Sequence, residues 1–466
     1  MHGDENERYE AARGLARGRR PARVLDVADP RAWTELDETV REASARGVLA
    51  PHDRLTRGRP GLPPPWWTRP GSGGPRLGSR PGEAELALAL CDPDGRIREA
   101  ALGHAGSRPG VLPLVAIRST DWAPPVRERA LGVLRTALPD AAPRTLAVTV
   151  PVILRVAGRR RGGAAGALLE ELLGGCPEAT LASLLLNRDR ATRRLALRVA
   201  VARGHLDAGR LARIASADND VVVQGVASDA AIAAMTAETE EEVLGRLLAG
   251  RTGRTRAAGV TALRRAGRTP EAEPFLYDRS AMVRACARWT LRQGGTDPLP
   301  LYRARCADPA RTTGRAPLGL AECGERGTDM PVLWELTAHA DPAVRASAVA
   351  GLRSFEVSGR DRERLLPLLA DPAPGVVREA ARTLEPVAAL LPPAELARLT
   401  GPERPPHVRA RALRLLAAHG GAVHAETAVR LVEDADPVPD PAAALPGQPP
   451  AGRRARLRQV WRAWLA

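Results

Sequence analysis

The chain has 466 residues, 44% of them apolar, and a formal net charge of +15 in which every one of the 69 basic residues is an arginine. No run reaches the roughly 18 apolar residues of a membrane-spanning helix. The five cysteines (Cys91, Cys176, Cys286, Cys306 and Cys323) form an odd, scattered set without C-x-x-C spacing, which argues for reduced thiols in a cytoplasmic protein.

The first residues, Met1–Glu7, are polar and acidic, and no secretory apolar stretch follows. Residues 1–82 read as an N-terminal extension. Residues 1–29 are charged and Gly/Arg-rich and are expected to be loosely ordered. A helix is predicted over about 30–47, with Trp33, Leu36, Val40 and Ala43 on one face and Gly47 ending it. Residues 56–82 form a loop rich in Pro, Gly and Arg, whose large apolar groups are Trp66 and Trp67. Two readings stay open for these tryptophans: a cover for the first repeat, or a segment that binds a partner.

From Glu83 the chain is periodic. The stretch Asp341-Pro342-Ala343-Val344-Arg345-Ala346-Ser347-Ala348 sets the pattern. Asp-Pro starts a helix, and Val344, Ala348 and Leu352 form one apolar stripe at i, i+4 and i+8. The arginine position recurs at Arg98, Arg127, Arg193, Arg284, Arg345, Arg378 and Arg409, with Gln224 standing in once. Weaker copies fall at Arg161, Arg256 and Arg315. The indexed positions run from 98 to 409 in ten intervals, a period of about 31 residues. Each unit also has an apolar-periodic helix before the motif, so each is an αα-hairpin. One hairpin cannot bury its apolar face alone, but a stack can.

The array covers residues 83–434. A Pro/Ala/Asp-rich loop, residues 435–452, interrupts the last unit. Residues 453–466 then form a basic amphipathic helix with Leu457, Val460, Trp461, Trp464 and Leu465 on one face. Without the insert, Arg456 falls one period after Arg409, which makes this helix the closing half of a twelfth repeat. The same composition also suits a membrane surface.

The motif Asp-Pro-x-Val-Arg-x-x-Ala resembles the short bacterial HEAT repeat, including its phycobilisome-lyase-like variants, from about Glu83 to the C-terminus. The resemblance implies an all-α fold: an α-solenoid, a superhelix of about twelve HEAT-like αα-hairpins with the second helices lining one face. It implies that the motif arginines and the turn aspartates pair between neighbouring repeats as a structural ladder. It is nearly silent on function, since such arrays host many roles.

Function must therefore come from surfaces. Counted from the ladder arginine, positions −1, +3 and +7 are buried, and +1, +5, +8 and +9 lie opposite. Arg135, Arg194, Arg198, Arg264, Arg265, Arg292, Arg353 and Arg414 occupy the opposite set. They make a discontinuous positive stripe suited to an acidic protein segment or a phosphate backbone; the bland alternative is a solvated helix face. The acidic run Glu238, Glu240, Glu241 and Glu242 suits a helix start. No nucleophile motif, P-loop, metal-ligand spacing or cofactor motif is present. The expectation is thus a non-enzymatic scaffold for a protein partner of unknown identity, with no cofactor and no catalytic or metal site. The alternative is a nucleic-acid binder resembling the HEAT-like alkylpurine DNA glycosylases, with Asp121 and Trp122 as the residues to inspect.

Overall fold

The computed structural model describes residues 9–49, 80–355 and 359–419, with Thr427. Every regular element among them is helical. The contacts divide the chain into two compact units, Met1–Val243 and Leu244–Ala466.

The first unit begins with α1 (Glu10–Ala16) and α2 (Pro30–Ala45). Part of the segment expected to be loosely ordered is thus a helix, because Ala12, Leu15 and Ala16 find an apolar surface to cover. Five helix pairs follow: α3/α4 (Glu83–Leu90, Gly95–Ala105), α5/α6 (Leu112–Arg118, Pro124–Ala137), α7/α8 (Pro143–Ala157, Gly163–Gly175), α9/α10 (Glu178–Leu185, Arg190–Ala202) and α11/α12 (Ala208–Ala217, Val221–Ala233). α1 packs on α3, and α2 packs on α5 and α7. Trp33, Leu36 and Val40 of α2 are buried there, and the Trp33 indole donates to Val27 O at 3.0 Å. Residues 9–49 therefore cover the opening of the stack. Trp66 and Trp67 lie outside the described residues, as do 435–452 and the helix expected over 453–466.

The division between units falls inside α13 (Glu240–Leu248), whose first turn holds Glu240, Glu241 and Glu242. The second unit continues with α14 (Gly253–Arg265) and a 3-10 segment, Thr269–Tyr277, paired with α15 (Ala281–Gln293). Pro270 and Pro274 keep that segment from becoming an α-helix. Then come α16/α17 (Pro298–Ala307, Ala316–Cys323), α18/α19 (Arg326–Leu336, Pro342–Leu352), α20/α21 (Gly359–Leu365, Pro374–Leu384) and α22/α23 (Pro393–Arg398, Pro406–Leu416). Each unit is an α-solenoid stack of HEAT-like helix pairs.

The helices start where the chemistry asks. Asp341 caps α19 by accepting from Ala343 N at 2.8 Å, with Pro342 at the first helical position. Asp94, Asp189, Asp207, Asp220 and Asp297 do the same elsewhere. The −1, +3 and +7 stripe is fully buried in α15 (Val283, Ala287, Leu291) and in α19 (Val344, Ala348, Leu352). Burying one Val or Leu side chain contributes about 1.5–3 kcal/mol.

Two local devices deserve the same reading. Pro151 lies inside α7 and leaves the Ala147 carbonyl without its helical donor. The Asn187 side-chain amide, from the turn between α9 and α10, supplies one at 2.7 Å. In the second unit the Tyr302 ring of α16 lies across Gly319 of α17, where a Cβ would overlap it. The Tyr302 hydroxyl donates to Leu276 O at 2.7 Å.

Candidate functional site

The motif arginines build rungs between consecutive turns. Arg98 sends Nε and Nη2 to the two oxygens of Asp121, at 2.9 and 2.8 Å, and Nη1 to the carbonyls of Asp92 and Pro93. Arg193 grips Asp218 and Arg345 grips Asp371 in the same way, and each also holds two carbonyls of its own turn. Arg256, a weak copy in the sequence, makes a full rung to Asp278 at 2.7 Å on both sides. Burial pushes the Asp278 carboxyl up, but the Arg256 hydrogen bond and charge outweigh it and hold it below the ordinary range.

Three expected ladder positions differ. Arg284 reaches Glu322 of α17 instead of a turn aspartate, and Arg288 joins it there at 2.6 Å. Arg127 donates to the carbonyl of Asp121, and the turn that follows Arg409 lies outside the described residues. Arg378 turns out of the ladder and meets Glu379 at 3.2 Å, because the acid of the next turn, Glu403, pairs with its neighbour Arg404.

The expected stripe is partly neutralised. Arg194 forms a two-point pair with Asp220 at 2.8 and 2.6 Å, which holds that carboxyl far below its ordinary range. Arg353 pairs with Glu379 at 2.8 Å and Arg414 with Glu385 at 2.9 Å. Each of these pairs spans neighbouring repeats. Arg264 lies over the half-exposed Trp289 ring, 5.3 Å from its centroid. Arg135, Arg198, Arg265 and Arg292 are exposed on their second helices.

A groove follows the second helices of the second unit. A cavity of about 540 Å³ crosses α17, α19 and α21, over a floor that includes Gly314, Ala343, Ala346, Ala350 and Gly375. A cavity of about 280 Å³ adjoins it between α21 and α23. Arg378 and Arg382 belong to the walls of both. The walls carry Arg315, Arg353, Arg378, Arg382, Arg411 and Arg414 against Glu379 and Glu385. Burial pushes the Glu379 carboxyl up, but hydrogen bonds from Arg353 and Arg378 outweigh it, so it stays ionised below the usual glutamate range.

Sequence reasoning placed Arg353 and Arg414 on this face but missed Arg382 and Arg411. Those two stand at +4 and +2 from their ladder arginines. At about 100° per residue they lie just outside the sector of positions +1, +5, +8 and +9, on either side.

Asp121 does not present a free carboxylate. It accepts from Arg98 and from Arg118 Nη1 at 3.0 Å, and its side chain is 1% exposed. Arg118 in turn reaches Asp37 of α2. Trp122 beside it is 65% exposed. This is an internal charge cluster that holds α2 onto the stack, so the residue inspected for base excision is committed to structure.

No family model matches the chain, and no curated protein matches it. Solved structures do. The Escherichia coli protein YibA is 18% identical over 53% of this chain and 95% of its own, with a TM-score of 0.22. Kap95p, whose binding induces the switch loops of RanGDP to adopt the GTP-bound conformation, is 12% identical over 86% of this chain, with a TM-score of 0.33. Kap121p bound to Pho4p is 15% identical over 83% of this chain, with a TM-score of 0.27. The chain spans 60% of the Kap95p chain and 48% of the Kap121p chain.

Proposed function

We propose that this protein is a non-enzymatic scaffold, akin to the short bacterial HEAT arrays, that holds an acidic protein segment in the groove over α17, α19, α21 and α23. The observation that carries the reading is the groove itself. Its lining includes a run of Gly and Ala residues, which lets an extended backbone approach closely, and sets six arginines against two glutamates. Arginine matches carboxylates with paired donors. The exposed arginines of α14 and α15, Arg264, Arg265 and Arg292, extend the same charge toward the start of the unit. The five cysteines are unpaired thiols, which suits a reducing cytoplasm. Among the described residues, no helix is long and apolar enough to cross a membrane.

The test uses a fluorescent glutamate-rich peptide and a duplex DNA of random sequence, each titrated with the full chain at two salt concentrations. The peptide is expected to bind, and Ala346→Trp, which fills the groove floor without changing charge, is expected to weaken it at least tenfold. Unchanged peptide affinity in that variant overturns the groove. Tight DNA binding that falls steeply with salt, with no peptide binding, replaces it with the nucleic-acid reading.

A further inference from the structure

We propose that the smaller cavity, between α21 and α23, takes a phosphorylated side chain of the bound segment. The inference rests on the groove reading above and makes its ligand specific.

The argument is one of charge and donors. Four arginines line the cavity: Arg378, Arg382, Arg411 and Arg414. Two glutamates oppose them. Glu385 accepts both Nε and Nη2 of Arg414 on a single oxygen, Oε1. Glu379 accepts from Arg378 Nε at 3.2 Å and lies 3.5 Å from Arg382 Nη1, while its other oxygen is taken by Arg353. Arg411 is half-buried and meets no carboxylate among the described residues. The cavity therefore keeps an excess of two positive charges and a set of guanidinium N–H groups that the glutamates leave unused.

A carboxylate brings one charge and two oxygens. A phosphomonoester brings about −1.5 to −2 at neutral pH and three strong acceptor oxygens. It matches both the charge and the donor number, and at about 280 Å³ the cavity has room for it. A phosphodiester backbone carries one charge per phosphate spread along a chain, whereas this excess is gathered in one place at the end of a trough with a floor of small residues. The chemistry fits a single phosphoserine or phosphothreonine in an extended peptide.

Three degenerate peptide pools of equal length decide it, carrying serine, glutamate or phosphoserine at one fixed position. Each is titrated with the full chain by fluorescence anisotropy. The phosphoserine pool is expected to bind at least tenfold tighter than the glutamate pool. The double variant Arg382→Gln/Arg411→Gln is expected to erase that difference while keeping wild-type helicity, because it weakens the phosphoserine pool more than the glutamate pool. Equal affinity for the glutamate and phosphoserine pools overturns the phosphate site and leaves the scaffold reading standing. A preference that survives in the double variant overturns the assignment to this cavity. Failure of all three pools and of the glutamate-rich peptide overturns both readings. Inorganic phosphate is expected to compete only at millimolar concentration; competition at the concentration of the peptide would assign the cavity to the free ion instead.

Discussion

Arg98 and Asp121 meet through two parallel hydrogen bonds at 2.9 and 2.8 Å, with side chains 0% and 1% exposed. The pair sits where two consecutive turns touch, so one guanidinium fixes its own turn and the next. Removing a single partner strands a buried charge. Arg98→Ala should therefore cost about 3–5 kcal/mol. Arg345→Ala, at a rung with 15% and 9% exposure, should cost about 1.5–3 kcal/mol. Arg127→Ala, which loses one hydrogen bond to a carbonyl, should cost about 1 kcal/mol. Urea denaturation of the three variants gives the order; equal costs would show that burial does not grade the rungs.

Asn187→Ala leaves the Ala147 carbonyl without a donor inside a packed helix. The expected loss is about 1–3 kcal/mol. In a Pro151→Ala background the backbone supplies that donor again, so the same change should cost much less. A double-mutant cycle by denaturation reads the difference, and additive costs would rule out the compensation.

Gly319→Ala drives a methyl group into the Tyr302 ring. Overpacking of this kind costs about 1–3 kcal/mol. Tyr302→Phe should not relieve the clash, because the ring remains, and should add the loss of the bond to Leu276 O. A thermal scan showing Gly319→Ala to be neutral would mean that α16 and α17 can part without cost.

The acid limb of stability should depend on Glu379. Its carboxyl is held below the ordinary glutamate value of 4.5 in the folded chain. Such a group adds stability that is complete above the unfolded value and lost as pH falls through the folded one. Arg353→Gln removes one of the donors responsible and moves the folded value back toward the unfolded one, so the fall in Tm between pH 7 and pH 3 should be smaller than in the wild type. Superimposable Tm–pH curves between pH 3 and 7 would contradict it.

The repeat was legible because its period rests on residues with a fixed job. The turn aspartate caps, the proline starts a helix, and valine, alanine and leucine fill one stripe; none of these depends on distant chain. An acid in the following turn is needed for a rung but does not secure one: Arg284 is followed by Asp308 and still reaches Glu322. Arg98, Arg193, Arg256 and Arg345 are each followed by a turn bearing aspartate. Arg127 is followed by Gly158-Arg159-Arg160-Arg161, and Gln224 by Gly250-Arg251-Thr252, with no acid. The positive stripe was only half legible. Arg194, Arg353 and Arg414 look free along their own helices, and their partners sit 26 to 29 residues away. The groove was missed for the opposite reason: Arg382 and Arg411 fall outside one helix's outward sector, yet face a space made by two. The helix α1 escaped notice because its apolar residues are mostly alanine, which signals little until a surface is there to receive it.

The closed rungs also bear on how the stack comes apart. A turn whose carbonyls are held by a guanidinium cannot open without releasing the carboxylate of the next turn, so turns joined by a rung should fray together. At Arg127 and Arg378 that linkage is missing, since Arg127 donates to a carbonyl of its own turn and Arg378 meets Glu379. Amide hydrogen exchange along the chain should therefore fall into blocks bounded by these positions, each block behaving as one cooperative segment, instead of declining evenly from the ends.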